Sequence, residues 1–260
     1  MRLTATRASV TSGGAALWTP ANLSGLSLWL DADDASTITE SSGSISQWDD
    51  KSGNGNHATQ STASNQPTYG TQTINAKNVV HFDGSEFMTT GYPPGLNRTL
   101  VAVVQYTSFA GLKVVAGARE TLNQRSYFGT NSGVGRGAVA ELTAVDGSSL
   151  SSNTTYTQIL SHGQGAVNRE AYYYLDGTEE ASATFTGNIG SGVNYMIGGF
   201  NDGGTIHSSR FSGRIAEFVV TDNIISDSNR QKLEGYLAHK WDTTSSLPAN
   251  HPYKSSAPTV

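Results

Sequence analysis

The stretch Gln47-Trp48-Asp49-Asp50-Lys51-Ser52-Gly53-Asn54-Gly55-Asn56-His57-Ala58 places two carboxylates, two amides, a histidine and two glycines between a tryptophan and an alanine. Two chemistries suit that set. Clustered Asp and Asn oxygens can coordinate calcium, which takes six to eight oxygen ligands. The same side chains accept backbone N–H bonds in turns, where Gly53 and Gly55 supply positive φ. The turn reading is preferred, because no stretch matches EF-hand spacing and no second His stands at metal spacing from His57. In that reading Trp48 anchors the loop in the core, Asp49 or Asp50 ties it back by hydrogen bonds, and His57 is structural. Asp31-Ala32-Asp33-Asp34, Asp83 with Glu86, and Asn201-Asp202 offer further oxygen-rich loops, again open to both readings. No cofactor is expected, and calcium is allowed for without a specific motif.

Sugar binding calls for an exposed aromatic ring over the apolar face of a sugar, with amide or carboxylate groups on its hydroxyls. Phe200-Asn201-Asp202-Gly203-Gly204 follows a predicted strand and is the best local match. Phe200, Asn201 and Asp202 are therefore the candidate carbohydrate-binding residues, with Tyr92-Pro93-Pro94 as a second place. Tyr172-Tyr173-Tyr174 alternates faces, so one or two of its rings should pack in the core. Hydrolysis of glycans needs paired carboxyls. Glu179-Glu180 would point to opposite strand faces, and Glu217 stands alone in an apolar run. Neither Gly-x-Ser-x-Gly nor His-Glu-x-x-His occurs, so no catalytic residues are nominated and a non-enzymatic protein is expected.

The elements that must carry these residues are short. Predicted strands are Leu26–Leu30, Val79–Phe82, Leu100–Tyr106, Lys113–Ala118, Gly137–Leu142, Tyr156–Ser161, Ala171–Leu175, Ala181–Phe185, Tyr195–Gly199 and Arg214–Thr221. Gly, Asn, Asp and Ser clusters separate most of them, which indicates an antiparallel sandwich or barrel rather than βαβ units. Asp176-Gly177 marks a hairpin, since a type I′ turn needs φ > 0 at both central residues. One helix is predicted over 226–241. Ser226 caps it, Asp227 and Lys240 suit its two dipole ends, and Leu233, Tyr236, Leu237 and Trp241 share a face. Gly235 inside it costs about 1 kcal/mol against Ala, and close approach to a sheet is the expected reason.

Bulk composition narrows the partners. With 16 Lys and Arg against 21 Asp and Glu, the chain lacks the basic face of a nucleic-acid binder, and anionic membranes are disfavoured for the same reason. The absence of cysteine rules out disulfides and thiolate metal sites. Residues 1–19 are small, polar and weakly patterned, and read as an arm that is either disordered by itself or ordered against a partner to which it anchors the following domain, 20–260. They hold no 7–15-residue apolar core of a signal peptide, so a soluble protein assembled inside a cell is expected.

Trp29-Leu30-Asp31-Ala32-Asp33, the Trp48–Ala58 loop, Val80-His81-Phe82-Asp83-Gly84, Gly213-Arg214-Ile215-Ala216-Glu217-Phe218-Val219-Val220 and the helix Arg230–Trp241 follow one another in order. This set resembles the concanavalin A-like lectin/glucanase superfamily, in its laminin-G-like or pentraxin-like branch, and within it domains of bacteriophage and bacterial surface proteins. The resemblance covers about residues 20–255. It implies an all-β, antiparallel jelly-roll sandwich closed by one C-terminal helix. Many such domains bind calcium at a sheet rim, whereas the Glu-x-Asp-x-Glu strand of the superfamily's glucanases does not occur here. The leading expectation is a bacteriophage virion structural protein, a head decoration or a fibre or tail-associated protein. It would assemble in the host cytoplasm, dock to capsid or tail through residues 1–19, form a homo-oligomer and contact host glycans at the virion surface. The alternatives are a bacterial carbohydrate-binding module or adhesin, and a degenerate glycan hydrolase.

Overall fold

In the computed structural model, which describes residues 15–165 and 167–260, the apolar alternation of the central strands sorts into two buried layers. The strands form an all-β, antiparallel jelly-roll sandwich with one C-terminal helix. One sheet runs in the spatial order Thr178–Phe185, Arg169–Leu175, Thr155–Gln164, Arg98–Tyr106 and Ser212–Thr221. Beyond Ser212–Thr221 the edge is shared: Leu26–Asp31 pairs with its second half and Lys77–Asp83 with its first. The opposite sheet is built around Leu112–Thr121, Gln124–Asn131, Val134–Val139 and Thr143–Ser149. On its other side it continues through the short strands Met196–Ile197, Met88–Thr90, Ala58–Thr59, Ser44–Trp48 and Ile38–Ser41. Nearly all pairings are antiparallel; Phe200–Asp202 runs parallel to Gly117–Arg119.

Strand side chains alternate between faces, and here the first sheet is covered on its inner face and over its central strands on the outer one. Leu28, Leu30, Leu100, Ala102, Val104, Leu160, Phe218 and Val220 point inward, against Trp48, Val115, Phe128 and Val139 of the opposite sheet. Their neighbours in sequence, Trp29, Val101, Val103, Ile159, Tyr174 and Val219, point outward and pack under Leu233, Leu237 and Trp241 of the helix Asp227–Lys240. Ser226 caps that helix by accepting the Asn229 N–H at 3.3 Å. The helix therefore forms a third layer, and the near-continuous apolar run of Ser212–Thr221 reflects burial on both sides. The Tyr triplet splits as expected, with Tyr173 inside the sandwich and Tyr172 and Tyr174 outside.

Glu217 lies on the helix side of this sheet and is 1% exposed. It is directly opposite Asp31 in the strand register. The indole Nε1 of Trp29 donates to its Oε1 at 2.7 Å, and the indole Nε1 of Trp241 donates to its Oε2 at 2.9 Å. Lys240 Nζ sits 2.8 Å from Oε2 and also donates to Asp31 Oδ1. Lys51 completes the chain, 2.8 Å from Asp31 Oδ2 and 2.7 Å from Asp34 Oδ2. Burial pushes the Glu217 carboxyl up, while Lys240 beside it favours the ionised form. Lys51 holds the half-buried Asp34 carboxyl down at about 2.

Several expectations are corrected in detail. The strand predicted over Gly137–Leu142 ends at Val139, because Ala140 and Leu142 adopt φ of 48° and 85°. Of Tyr195–Gly199 only Met196–Ile197 is paired, and Gly198 turns away at φ 76° against the Phe82 ring. Asp176 and Gly177 have the positive φ of the expected hairpin. The close approach at Gly235 is made by the C-terminal tail rather than a sheet: a Cβ there would lie 2.4 Å from Tyr253 Cβ. Most of the predicted arm, residues 1–14, falls outside the described residues. Its last part is built into the fold, since Trp18 is 3% exposed and its N–H donates to the Pro258 carbonyl.

Two stability outcomes follow from these contacts. Lys240→Met removes the cation from a buried carboxylate and should lower unfolding free energy in urea by about 3–5 kcal/mol. Gly235→Ala should also destabilise, against the gain of about 1 kcal/mol that helix propensity alone gives, because a Cβ cannot rotate away from Tyr253.

Candidate functional site

The residues nominated from sequence for sugar binding do not form an open platform. Phe200 is 2% exposed. It packs edge-on against Tyr127, with ring centroids 5.0 Å apart, and the Arg119 guanidinium covers it at 5.4 Å. Asn201 is used up in its own loop, its Nδ2 donating to the Asn194 carbonyl and its Oδ1 accepting the Gly204 N–H. Asp202 accepts two hydrogen bonds from Arg119, which hold its carboxyl below the usual range. The physical reason is the parallel pairing of Phe200–Asp202 with Gly117–Arg119, a register invisible in the local sequence. Tyr92, the second nominee, is capped by the Arg98 guanidinium at 4.9 Å.

The Trp48–Ala58 loop is a hydrogen-bonded turn. Asp50 Oδ1 accepts the N–H groups of Trp29 and Ser52, and Oδ2 accepts the Ser52 hydroxyl and the Asn56 N–H. Asn54 and Asn56 donate to the carbonyls of Leu26 and Ser27. His57 Nδ1 accepts the Asp50 N–H at 3.1 Å. The loop thus clips the first strand into place. Among the described residues, no group of three or more His, Cys, Asp or Glu stands together in a way that could hold a metal ion.

A serine–histidine pair is present in an unusual place. Inside the sandwich, His162 Nε2 lies 2.9 Å from Ser126 Oγ, which accepts from the Tyr195 hydroxyl, and His162 Nδ1 is 2.9 Å from the Leu96 carbonyl. With Nδ1 donating to that carbonyl, Nε2 accepts from Ser126, so the ring is neutral. Burial pushes its pKa down to about 4. Ser126 and His162 are both 0% exposed, so the pair is part of the core and out of reach of a substrate.

The open feature lies on the outer face of the first sheet, at the N-terminal end of the helix. Strand register explains who meets there. Ser161 is paired with both Thr99 and Tyr172, Tyr174 with Glu179, and Glu170 with Thr184, all on one face. Apart from Thr184, these residues line a groove of about 480 Å³ together with Gln164, Asp227 and Arg230. A second hollow of about 240 Å³ continues past Tyr172 and Glu170 along Ser182–Thr184. Tyr174 is nearly covered: Tyr172 stacks beside it at 6.4 Å and the Arg230 guanidinium lies 4.3 Å over its ring. Tyr172 is half-buried and lines both hollows. Its hydroxyl donates to Glu170 Oε2 at 2.7 Å, and that carboxylate pushes its pKa up to about 12. Gly165 makes room for this arrangement, since a Cβ there would lie 2.5 Å from Glu170 Oε2. The groove therefore offers one aromatic ring, carboxylate acceptors on two strands and the helix, and an amide. Sequence reasoning separated Tyr172 and Tyr174 from Tyr173 by alternation, but nothing local indicated that the helix would stop short of Tyr172.

No protein-family model matches this chain, and no match is found among curated proteins. Solved structures do match. Domain 4 of AbnA, a GH43 extracellular arabinanase from Geobacillus stearothermophilus, in complex with arabinotriose, is similar at 14% identity and TM-score 0.58, over 80% of this chain and 98% of that one. The binding domain of Paraclostridial Mosquitocidal Protein 1 is similar at 11% identity and TM-score 0.56, over 84% of this chain and 53% of that one. Trypanosoma rangeli sialidase, in complex with the inhibitor DANA, is similar at 15% identity and TM-score 0.55, over 84% of this chain and 34% of that one. At these identities the likeness establishes the fold alone, a jelly-roll β-sandwich.

Two buried titrations in this region oppose each other. Asp176, in the turn joining the two groove strands, is pushed up to about 7 by burial, so the folded state holds a proton that the unfolded state has lost, and stability falls as pH rises from about 4 to 7. His162 has the reverse sign: the unfolded state binds a proton near 6.5 and the folded state only near 4, so stability rises over almost the same window. Each contributes a slope of up to about 1.4 kcal/mol per pH unit. Denaturant titrations should accordingly show Asp176→Asn gaining stability from pH 4.5 to 6.5 relative to the parent chain, and His162→Gln losing it.

Proposed function

We propose that this chain is a non-enzymatic carbohydrate-binding domain that holds a glycan across the Tyr172 groove. The observation that carries the reading is a half-buried tyrosine ring on a sheet face between two hollows, surrounded by Glu170, Glu179, Asp227 and Gln164. Sugars present apolar C–H faces edged with hydroxyls; the ring covers the first, and carboxylate and amide oxygens accept from the second. The fold neighbours agree in class, since they include an arabinanase domain bound to arabinotriose and a sialidase.

Binding is proposed over hydrolysis because the chain has no Glu-x-Asp-x-Glu strand, and Glu170 and Glu179 stand on different strands, four residues out of register. Display on a bacteriophage virion, expected from the sequence, would give this activity a location at the host surface. That part of the reading rests on residues 1–19, of which 1–14 lie outside the described residues.

A glycan array with the purified domain, followed by calorimetry on the sugars it retains, provides the test. Tyr172→Ala should weaken binding at least about tenfold, the equivalent of 1.4 kcal/mol. Tyr172→Phe, which keeps the ring and loses only the bond to Glu170, should stay within a few-fold. Unchanged affinity in a folded Tyr172→Ala variant would place the site elsewhere.

A further inference from the structure

The charges around the groove narrow the ligand class, an inference that rests on the glycan-binding reading. Three carboxylates line the first hollow: Glu170, Glu179 and Asp227. Among the described residues its one lining cation is Arg230, whose two terminal nitrogens are paired and whose Nε is buried without a partner. Nη1 donates to Glu234 Oε1 at 2.7 Å, Nη2 to Asp227 Oδ1 at 3.3 Å, and the group lies 4.3 Å over the Tyr174 ring. The second hollow repeats the pattern, with Glu170 and no cation beside Tyr172, Ser182, Ala183 and Thr184. Glu179 and Asp227 are exposed at the rim, where they meet an arriving ligand before Tyr172 does.

We infer that the groove selects amino-sugar chains bearing free ammonium groups over their N-acetylated counterparts, and rejects anionic glycans. An ammonium group within hydrogen-bond reach of Glu170 or Glu179 gains a charge-assisted bond, while a carboxylate-bearing sugar meets like charge with no free cation to receive it. The two hollows share Tyr172 and Glu170, so they accept consecutive units of a chain rather than a single terminal residue. The ring between them stacks on the junction, and each flanking carboxylate receives the amino group of a neighbouring unit. Acetylation removes the charge and adds bulk at the position the carboxylates occupy.

Calorimetry with the full chain tests this on three probes, a glucosamine hexamer, an N-acetylglucosamine hexamer and 3′-sialyllactose, in low and high salt. The expected result is about tenfold tighter binding of the glucosamine hexamer than of the acetylated one at low salt, with the difference shrinking at high salt. Sialyllactose should not bind. Glu170→Gln/Glu179→Gln should erase the preference, and Tyr172→Ala should abolish binding of both hexamers. Glucosamine binding that the double Gln variant leaves intact would reflect the overall charge of −5 and overturn the inference. Tyr172-dependent binding of the acetylated or sialylated probe with equal or higher affinity would also overturn it while leaving the glycan-binding reading in place. If neither these probes nor any glycan on the array binds, both fall.

Discussion

A carboxylate taken out of water costs several kcal/mol unless charge and hydrogen bonds replace its hydration, and Glu217 is such a group in the middle of a sheet. Its two oxygens are served by the indoles of Trp29 and Trp241 and by the ammonium of Lys240. Trp29 belongs to the first strand, and Lys240 and Trp241 to the end of the helix. A helix packed elsewhere would remove the Lys240 cation and the Trp241 donor and leave the Glu217 carboxylate with the Trp29 indole alone. The arrangement reaches further through Asp31 and Lys51 to the Trp48–Ala58 loop, whose Asp50 in turn accepts the Trp29 backbone N–H. Elements distant in sequence are thereby held in one relative position by a single chain of charge-assisted bonds.

That position decides what remains open. The helix begins at Asp227 and crosses the sheet toward Lys240, and Leu233, Leu237 and Trp241 cover Trp29, Val101 and Ile159. The outward faces of Arg169–Leu175 and Thr178–Phe185 lie past the start of the helix. Tyr174, next to Arg230, is covered; Tyr172, two residues back along the strand, is not. The groove is therefore the uncovered remainder of a sheet face whose other half serves as the floor of the helix. Its acidic character comes from the same geometry, since Asp227 belongs to the first helical turn and Glu170 and Glu179 to the bare strands.

Much of the architecture was legible from local pattern. The apolar patterns of Leu26–Leu30 and Arg214–Thr221, the Asp-Gly turn, and the Ser226 cap each state their element within a few residues, because the forces that set them act over a few residues. Strands of the opposite sheet were less legible. Gln124–Asn131 mixes Arg, Ser, Phe, Gly and Thr, and it is a strand because Ser126 meets His162 and Tyr195, and Arg125 reaches the Ala140 carbonyl. Glu217 looked solitary for the same reason, its partners being 188 and 24 residues away. The Trp48–Ala58 stretch states its turn through Asp, Asn and Gly, while its bonds to Trp29, Leu26 and Ser27 join positions 21, 28 and 29 apart.

By itself, then, the sequence determined the fold class, the single capped helix, the two-faced split of the Tyr172–Tyr174 triplet and the excess of acidic over basic residues, all of which follow from residue type and short-range periodicity. It placed the sugar platform at Phe200, where an aromatic precedes Asn, Asp and two glycines, and there the tertiary structure decided otherwise. Phe200 is buried by a parallel pairing with a strand some 80 positions earlier, and Tyr172 is open because a helix more than 50 positions later ends its coverage at Tyr174. Exposure is a property of what packs on top, and what packs on top is fixed by contacts between distant segments. No local composition can encode it.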